Sequence, residues 1–473
     1  MQERVSDPDK KGLLEANDNR RVVPTDIQGF VIRGYNFPFA RYLFLEISQE
    51  NGQEFLGRLV GHITTGELWV NGRPSTAANI AFTYKGLVNL KLPTASLLSF
   101  PAEFAQGMKE RGSILQDSGR NSSKYWDAMW NEEQIHAWLG VYAMSVQELE
   151  KRCVELQALM QVTRGALVIG SQDSAALNLT MKEHFGFTDG FTNPDYLWLQ
   201  RSSQPGQGKL TRQGNWAPLA TGELLLGYPD EAGELPIAPV PKPFAKNGTF
   251  MVYRKLHQNI ATFRAFLNET AQSYAGGKEK LASKLIGRWR DGTPVELSPD
   301  EPSPSIVSDT NRNTNFTFGY DPEGTRCPLG AHVRRVNPRD AFGFNGSLIN
   351  RRRITRRGMP YGPYYSEDEP VRDEDEHGMI FIALNASISR QFEFVYQQWI
   401  QNGDDAWQGN DKDILVGNHE GRGRFMIQGT KDPANPPFMC SGLPNFVELR
   451  GGEYFFVPSM TALKMIATGT VDS

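Results

Sequence analysis

Runs of apolar and aromatic residues broken by Gly and Pro dominate the beginning of the globular part of the chain. The run at 27–47 predicts strands, because β-branched and aromatic residues there are bounded by turn-forming residues. Other local patterns predict β-like runs at 67–70, 79–92 and 222–228 and helices at 101–111 and 131–160. The first half therefore mixes strands with helices.

A proline-rich stretch divides the chain near its middle. Residues 231–247 contain four prolines, a spacing that disfavours regular structure and indicates a semi-rigid connector. We therefore predict an N-terminal domain at 25–230 and a C-terminal domain at 248–473. The polar residues 1–24 predict a mobile N-terminal arm.

The second half begins as the first does, with a strand at 249–256 followed by a helix at 260–271. A strand is predicted at 378–384 and a helix at 392–400. At 444–458, Gly451 and Gly452 lie between two β-rich arms, which predicts a hairpin with a two-residue turn. Because strands and helices are mixed without regular βαβ alternation, the predicted fold class is α+β with antiparallel sheets.

Composition and charge exclude several classes of protein. The formal net charge of −4 argues against a nucleic-acid-binding protein, which usually carries a basic surplus. No apolar stretch reaches the length of about 18 residues that predicts a membrane-spanning helix. The three cysteines are widely spaced, which excludes a disulfide framework and fits a reducing compartment. The N-terminus lacks the apolar segment of a secretion signal, so a cytoplasmic location is expected.

One of the seven histidines, His332, stands out by its surroundings. Arg334, Arg335 and Arg339 follow it, and guanidinium groups suit bidentate binding of carboxylates such as haem propionates, while an imidazole can ligate haem iron. The alternative is a solvated basic face. Cys327 could also act as a thiolate ligand, but the glycine-rich loop that usually shelters such a ligand is absent. No CxxCH motif is present, so any haem is expected to be non-covalent haem b.

Carboxylates and further arginines surround this segment in the sequence. Asp189 lies in GFTDG between apolar flanks, so it is either an ordinary Asp-Gly turn or a partly buried proton-transfer group. Five arginines at 351–357 could form a phosphate or nucleic-acid patch or an exposed strand. The acidic stretch at 366–377 is predicted to be a solvated loop, with a Mn(II) or Ca(II) site as the alternative.

Taken together, these motifs resemble those of the dye-decolorizing (DyP-type) haem peroxidases, and most closely those of the larger subfamily without a secretion signal. The resemblance covers nearly the whole chain. The matching segments are IQGFV at 27–31, EHFGFTDG at 183–190, LLLGYP at 224–229, NGTFMVYRKL at 247–256, GRWRDGTP at 287–294, CPLGAHVRRVNPR at 327–339, RRGMPYGP at 356–363, QFEFVYQQW at 391–399 and RGGEYFFVPS at 450–459.

The resemblance implies two ferredoxin-like α+β domains, with one non-covalent haem b per chain. The C-terminal domain would hold most of the haem, and the N-terminal domain would carry the distal GxxDG turn. His332 would ligate the iron, and Asp189 would be the distal acid/base. Arg356, rather than Arg357, would be the distal arginine. The remaining cofactor-binding residues implied are Arg339 at a propionate and Gly190, Met379 and Phe381 in the distal pocket; Glu393 is the candidate hydrogen-bond partner of the proximal histidine.

The implied activity is reduction of hydrogen peroxide through a ferryl intermediate, followed by oxidation of dyes, phenols or other one-electron donors. The implied partners are small molecules, with no nucleic acid and no membrane, and the protein would be a monomer or a homo-oligomer. A haem carrier or haem-handling protein (deferrochelatase-like) is the alternative. It would need His332 and Arg339 but not a distal Asp–Arg pair. A chlorite-decomposing enzyme of similar fold also stays open.

Overall fold

The computed structural model describes residues 22–131, 134–177, 182–199, 204–343, 346–429 and 436–472, so most of the predicted arm at 1–24 lies outside the described residues. The strands are β1 Phe39–Ile47, β2 Thr76–Phe82, β3 Ala137–Ala143, β4 Ala166–Ala175, β5 Lys209–Leu210, β6 Trp216–Ala217, β7 Thr249–Gln258, β8 Thr355–Arg356, β9 Met359–Tyr361, β10 Gly378–Asn385, β11 Gly423–Ile427, β12 Phe438–Leu443 and β13 Val447–Val457.

Short helices dominate the connections between these strands. The α-helices are Gly29–Ile32, Gly52–Leu59, Tyr84–Asn89, Thr94–Leu98, Ala102–Gln106, Ala128–Asn131, Val146–Thr163, Lys242–Ala245, Ile260–Thr270, Gly277–Ile286, Pro304–Val307, His332–Val336, Ser347–Asn350 and Met460–Thr468. Two π-helical segments span Ser389–Glu393 and Val395–Ile400. The 3-10 turns are Pro24–Asp26, Val60–His62, Gly119–Asn121, Ser123–Tyr125, Leu197–Leu199, Thr221–Glu223 and Asp404–Ala406.

Each half of the chain builds the same β-α-β-β-α-β unit. In the first half the strands lie in the order β4-β1-β3-β2, with the helices Gly52–Leu59 and Val146–Thr163 after the first and third strands of the unit. In the second half the order is β13-β7-β10-β8, which is the same arrangement of fourth, first, third and second strand. All these pairings are antiparallel. The predicted α+β class and ferredoxin-like units are therefore confirmed.

The two units join edge to edge. Strand β2 of the first unit pairs with β13 of the second, with Phe82 opposite Phe456, so one nine-stranded sheet runs through both halves. Strand β9 also pairs with β10, beside β8. The largest apolar core contains buried residues of both halves, among them Phe44, Phe250 and Phe456. The proline-rich connector therefore links two units that share a core, and it contains the short helix Lys242–Ala245 despite its prolines.

The helix predicted at 131–160 was wrong over its first half. A helix spans Ala128–Asn131, strand β3 follows at Ala137–Ala143, and a second helix spans Val146–Thr163. Every residue of β3 is buried, and a fully buried strand has the continuous apolar run that periodicity alone does not distinguish from a buried helix. The second helix begins at Ser145, whose side chain accepts a hydrogen bond from the main-chain N–H of Glu148.

The hairpin predicted around Gly451 and Gly452 was also wrong. Strand β13 continues through both glycines and pairs with β7 along its whole length. A bulge between Leu449 and Gly451 replaces the predicted turn. The Trp130 indole lies against Gly451, where an added Cβ would come within 2.0 Å of its Cδ1 atom. Glycine here allows the approach of an aromatic ring rather than a reversal of the chain.

Several shorter predictions held only in part. The predicted strand at 79–92 ends at Phe82 and continues as the helix Tyr84–Asn89, and the helix at 101–111 is limited to Ala102–Gln106. No strand forms at 67–70 or 222–228, both of which are described. The predicted strand at 378–384 and the helices at 260–271 and 392–400 are confirmed, the last as π-helix. Within the described ranges, no helix is long and apolar enough to cross a membrane.

Candidate active site

Asp189 lies in the long connection between β4, the last strand of the first unit, and β7, the first strand of the second unit. Thr188 pairs with Lys182 in an isolated bridge, so residues 182–188 form a closed loop immediately before Asp189. Gly186 and Gly190 both have φ of 88°, a left-handed conformation that glycine adopts without strain. The turn of this segment is formed by residues 183–186, where the main-chain N–H of Gly186 donates to the oxygen of Glu183, and not by Asp189 and Gly190, which follow the bridge. The Asp189 carboxylate faces the second half of the chain, since it binds Arg356.

Arg356 meets this carboxylate from strand β8. Its Nη1 and Nη2 atoms donate to Asp189 Oδ2 and Oδ1 at 3.1 and 3.0 Å, a bidentate ion pair. Arg357 contacts a different part of the molecule, since its guanidinium donates to the main-chain oxygens of Phe30 and Val31. Arg356, the predicted distal arginine, is therefore the one of the two that pairs with Asp189, and its position facing a haem stays a prediction.

The electrostatics of the pair favour the charged forms. Burial raises the pKa of Asp189, but the charge and hydrogen bonds of Arg356 and the N–H of Gly190 outweigh it, so the pKa lies below its usual value. Asp189 in turn raises the pKa of Arg356 against the effect of burial. The side chains of Asp189 and Arg356 are 46% and 40% exposed, so the ion pair borders a space that a ligand can reach, the recess.

His332 is the first residue of the helix His332–Val336. Its Nδ1 lies 3.0 Å from both carboxylate oxygens of Asp413, whose side chain is fully buried. Asp413 also accepts hydrogen bonds from the main-chain N–H groups of Leu415 and Val416. With Nδ1 engaged, Nε2 is the ring atom that a metal would use, and the paired carboxylate increases its basicity.

The pKa values of this second pair follow the same logic as those of the first. Burial lowers the pKa of His332, yet the charge and hydrogen bond of Asp413 leave it raised. Burial raises the pKa of Asp413, yet His332 and the main-chain donors leave it lowered. Asp189 and Arg356 also contribute to the pKa of His332, so their charges lie within electrostatic reach of the imidazole.

The partner of His332 was missed by sequence reasoning. Glu393, the predicted partner, instead forms a bidentate ion pair with Arg111 and accepts a hydrogen bond from the Tyr454 hydroxyl. The sequence around Asp413 (NDKDILVG) offers no signal beyond an acidic residue before an apolar run, and the two partners are 81 positions apart.

Three further arginines are buried without a carboxylate partner in the described part of the chain. Arg339 donates through Nη1 to the main-chain oxygens of Thr314 and Phe316. Arg288 and Arg353 likewise each use Nη1 to bind main-chain oxygens. These three side chains belong to residues that are at least nine-tenths buried.

The charges of these three arginines are poorly compensated. Burial and the neighbouring charges of Arg353 and Arg288 hold the pKa of Arg339 well below its usual value. Burial also lowers the pKa of Arg288 and that of Arg353 to about 10. Uncompensated buried cations are costly, so this cluster favours an anionic ligand. The two propionates of a haem would supply that charge, which fits the donor set present.

An apolar surface lies beside the ion pair. Met379 and Phe381 alternate along β10 with the fully buried Ile380 and Ile382, so they point to the opposite face of the sheet, where they stay partly accessible. Arg356 is directly opposite Ala383 of β10 and therefore faces the same side as Met379 and Phe381. The predicted distal residues thus share one face. An apolar face, an imidazole with one free nitrogen and a cluster of cations together fit an amphiphilic, anionic metal porphyrin.

The remaining sequence candidates have other contacts. The run at 351–357 does not form one patch, because Arg351 pairs with Asp230 and Arg352 lies over the Phe394 ring. Cys327 is buried, and burial raises its pKa to about 12, which disfavours a thiolate. Among the described residues, no group of three or more His, Cys, Asp or Glu side chains has metal-binding geometry, including those of the acidic stretch 366–377.

Known proteins share both the sequence and the fold. Residues 26–168 match the family described as DyP dimeric alpha+beta barrel domain, and residues 237–412 match the Dyp-type peroxidase C-terminal family. The chain is 29% identical to dye-decolorizing peroxidase msp1 of Mycetinis scorodonius over 97% of its own length and 90% of that protein. It is also 29% identical to the multifunctional dye peroxidase DyP2 of an Amycolatopsis strain over 60% of this chain and 61% of that protein.

Solved structures give the same result. An ancestral D-type dye-decolorizing peroxidase superimposes with a TM-score of 0.82 at 29% identity, covering 94% of this chain and 99% of the other. A dye-decolorizing peroxidase in complex with 2,6-dimethoxyphenol superimposes with a TM-score of 0.80 at 25% identity, covering 94% and 100%. The two family matches include strands β1 to β3 of the first unit and β7 to β10 of the second, and the chain therefore belongs to the DyP-type, or dye-decolorizing, peroxidases, a family of haem-dependent enzymes.

Proposed function

We propose that this dye-decolorizing peroxidase reduces hydrogen peroxide in the recess between His332 and the Asp189–Arg356 pair. The observation that carries the proposal is the bidentate contact of Asp189 and Arg356 on the face that also carries Met379 and Phe381. A protein that only stores haem has no need of a distal carboxylate and guanidinium. The electron donors are dyes, phenols or other one-electron donors; one structural relative binds 2,6-dimethoxyphenol.

The cofactor in this proposal is one haem b per chain, held without covalent attachment. His332 Nε2 would ligate the iron, with Asp413 fixing the proton on Nδ1. Arg339 would bind a propionate, with Arg288 and Arg353 adding positive charge nearby. Met379 and Phe381, with Gly190 on the facing turn, would cover the distal face. When bound, haem supplies an iron centre that accepts two oxidising equivalents from peroxide and passes them on singly.

Asp189 is the acid/base in this scheme. Its carboxylate accepts a proton from one peroxide oxygen and returns the proton to the other oxygen, which leaves as water. The net reaction is H2O2 + 2 H+ + 2 electrons → 2 H2O, with the electrons coming from two donor molecules. Because Arg356 holds the pKa of Asp189 low, the carboxylate is ready to accept the proton.

Arg356 stabilises the charge that develops when the O–O bond breaks. Its guanidinium is fixed by Asp189 on one side, and it faces the recess from a strand, so it needs little reorganisation during the reaction. Met379 and Phe381 exclude water from the same face, which strengthens this electrostatic effect. We also propose a cytoplasmic location, because the three cysteines are free and buried, as suits a reducing compartment.

The test is an absorption spectrum of the haem-loaded protein before and after one equivalent of hydrogen peroxide. We expect the haem bands to change rapidly and to return when a reducing dye is added. In Asp189→Ala, the protein should keep its haem, but the change should be slower by about 100-fold or more, since general acid–base groups contribute about 10²–10⁴-fold. A haem spectrum indifferent to peroxide in the unmodified protein would favour the carrier. Full haem loading of His332→Ala with an unchanged spectrum would reject His332 as ligand.

A further inference from the structure

The loop that precedes Asp189 folds around the carboxylate of one of its own residues, Glu183. Glu183 Oε2 accepts a hydrogen bond from the main-chain N–H of Phe185, and Oε1 accepts one from that of Phe187, both at 2.9 Å. The main-chain N–H of Glu183 donates to the oxygen of Phe187, also at 2.9 Å. Both the side chain and the main chain of Glu183 therefore bind Phe187, and these bonds close the loop two residues before Asp189.

The same carboxylate attaches this loop to the sheet. Gln258 is the last residue of β7, and its Nε2 donates to Glu183 Oε2 at 2.7 Å. Strand β7 pairs directly with β10, which carries Met379 and Phe381. Glu183 therefore links the distal turn to the strands on which Arg356 and the apolar face are built.

Other contacts attach the loop to the rest of the chain. The main-chain N–H and hydroxyl of Thr188 donate to the oxygen of Arg290, and Arg290 Nη1 donates to the oxygen of Phe185. His184 Nε2 lies 2.8 Å from the oxygen of Tyr361 in β9. In the described structure, the acceptors in these contacts are main-chain carbonyl oxygens. The main-chain N–H groups of Phe185 and Phe187, in contrast, both donate to the Glu183 carboxylate. Without Glu183, two partly buried donors lose their acceptors.

We infer that Glu183 is a positioning residue for the peroxide reaction, because its carboxylate fixes the 183–190 loop so that Asp189 meets Arg356. This inference rests on the proposed role of Asp189. Glu183 accepts three hydrogen bonds with two oxygens, and a glutamine there would turn an N–H2 group against one of the N–H donors. A displacement of about 1 Å in a reacting group can cost about 10²-fold in rate.

The experiment measures two rate constants in haem-loaded Glu183→Gln and Glu183→Ala. The second-order constant for hydrogen peroxide should fall by about 10- to 100-fold, while the constant for oxidation of the reducing dye and the haem content stay unchanged. The matched control is Glu453→Ala. Glu453 is also a carboxylate that accepts hydrogen bonds from main-chain N–H groups, those of Met108 and Tyr454, but it lies in β13 and not in the loop before Asp189. The control should keep both constants.

Amide hydrogen exchange of residues 183–190 gives an independent readout, with faster exchange expected in Glu183→Gln and not in Glu453→Ala. Asp189→Asn, measured in parallel, distinguishes a failure of the role inferred for Glu183 from a failure of the acid/base role proposed for Asp189. Slow peroxide reaction in Asp189→Asn with wild-type kinetics in Glu183→Gln would overturn the inference and leave the proposed function standing. Wild-type peroxide kinetics in Asp189→Asn would overturn both. An equal loss in Glu453→Ala would show a general loss of stability and would also overturn the inference.

Discussion

Asp189 owes its low pKa mainly to Arg356. Burial alone would raise the pKa of this carboxyl group, and Arg356 reverses the direction. A group with a lowered pKa keeps its charged form as pH falls, until pH passes through that lowered value. The proton-accepting form of Asp189 is therefore available over a wide acidic range.

Arg356→Leu should narrow the acidic pH range over which Asp189 can accept a proton. Without the guanidinium, burial dominates and the pKa of Asp189 rises, so the rate constant for peroxide should decline at higher pH than in the wild type as the solution is acidified. The measurement is the pH dependence of that rate constant. Arg357→Leu is the matched control, since the Arg357 side chain binds the main-chain oxygens of Phe30 and Val31 instead. If the rate constant declined at the same acidic pH in both variants, Arg356 would not be the residue that lowers the pKa of Asp189.

Asp413→Asn should weaken the proposed bond between His332 and haem iron. The amide keeps the size of the side chain but removes the negative charge that favours a basic imidazole. We expect haem affinity to fall by about 10- to 100-fold, the usual effect of losing such a partner, and the reduction potential of the bound haem to rise. Spectroelectrochemical titration measures the potential. Asp411→Asn is the control, because Asp411 pairs with Arg424; an equal shift there would contradict the role of Asp413.

The sequence identified the candidate-site residues that lie in compact motifs. It did not identify those that come together only in the folded chain. His332, Asp189 and Arg356 are each embedded in a local pattern, and family resemblance carried them. Asp413 has no such pattern, and only the packing of its loop against the helix His332–Val336 selects it over Glu393. Arg288 and Arg353 resemble any other arginine until their burial is known.

At the level of elements, strand β13 shows why glycine pairs are ambiguous in sequence. Two adjacent glycines such as Gly451 and Gly452 are compatible with a two-residue turn and also with a bulge in a continuous strand. The bulge forms here beside Trp130, which is far away in the sequence and whose ring stacks on that of Tyr253 with a centroid distance of 5.3 Å. Strand β3 shows a second ambiguity, since a strand buried along its whole length has no alternation. Strands β7 and β10 were predictable because they are bounded by turn residues and are rich in β-branched and aromatic residues.

Gly451→Ala should therefore destabilise the protein without abolishing β13. The added methyl would approach the Trp130 ring to 2.0 Å, and such overpacking costs about 1–3 kcal/mol. Urea unfolding of the haem-loaded protein measures the loss. Gly57→Ala is the control: Gly57 lies in the helix Gly52–Leu59 with open space around it, so alanine should be neutral or stabilising by about 0.5–1 kcal/mol. Equal stability of the two variants would contradict the packing argument.

At the level of the whole molecule, buried positive charge is concentrated within electrostatic reach of the Asp189–Arg356 pair. Arg288, Arg339 and Arg353 are buried and held apart from any described carboxylate partner, and neighbouring charges depress the pKa of Arg339 further. Arg335 is as deeply buried, but its guanidinium donates to three main-chain oxygens, those of Trp399, Asp411 and Asn402. This contrast supports a structural role for Arg335 and the proposed anion-binding role for the other three arginines.

Arg353→Met should consequently stabilise the haem-free protein while it weakens haem binding. Replacing an uncompensated buried charge by an apolar side chain is often neutral or stabilising, here by up to about 3 kcal/mol, whereas losing a charge-assisted contact to a propionate should cost about 10- to 100-fold in haem affinity. Chemical unfolding of the haem-free form and haem transfer to a competing apoprotein measure the two effects. In Arg335→Met, three main-chain oxygens lose their donors, so the haem-free form should become less stable. Destabilisation of the haem-free form by both substitutions would show that Arg353 serves the fold rather than the cofactor.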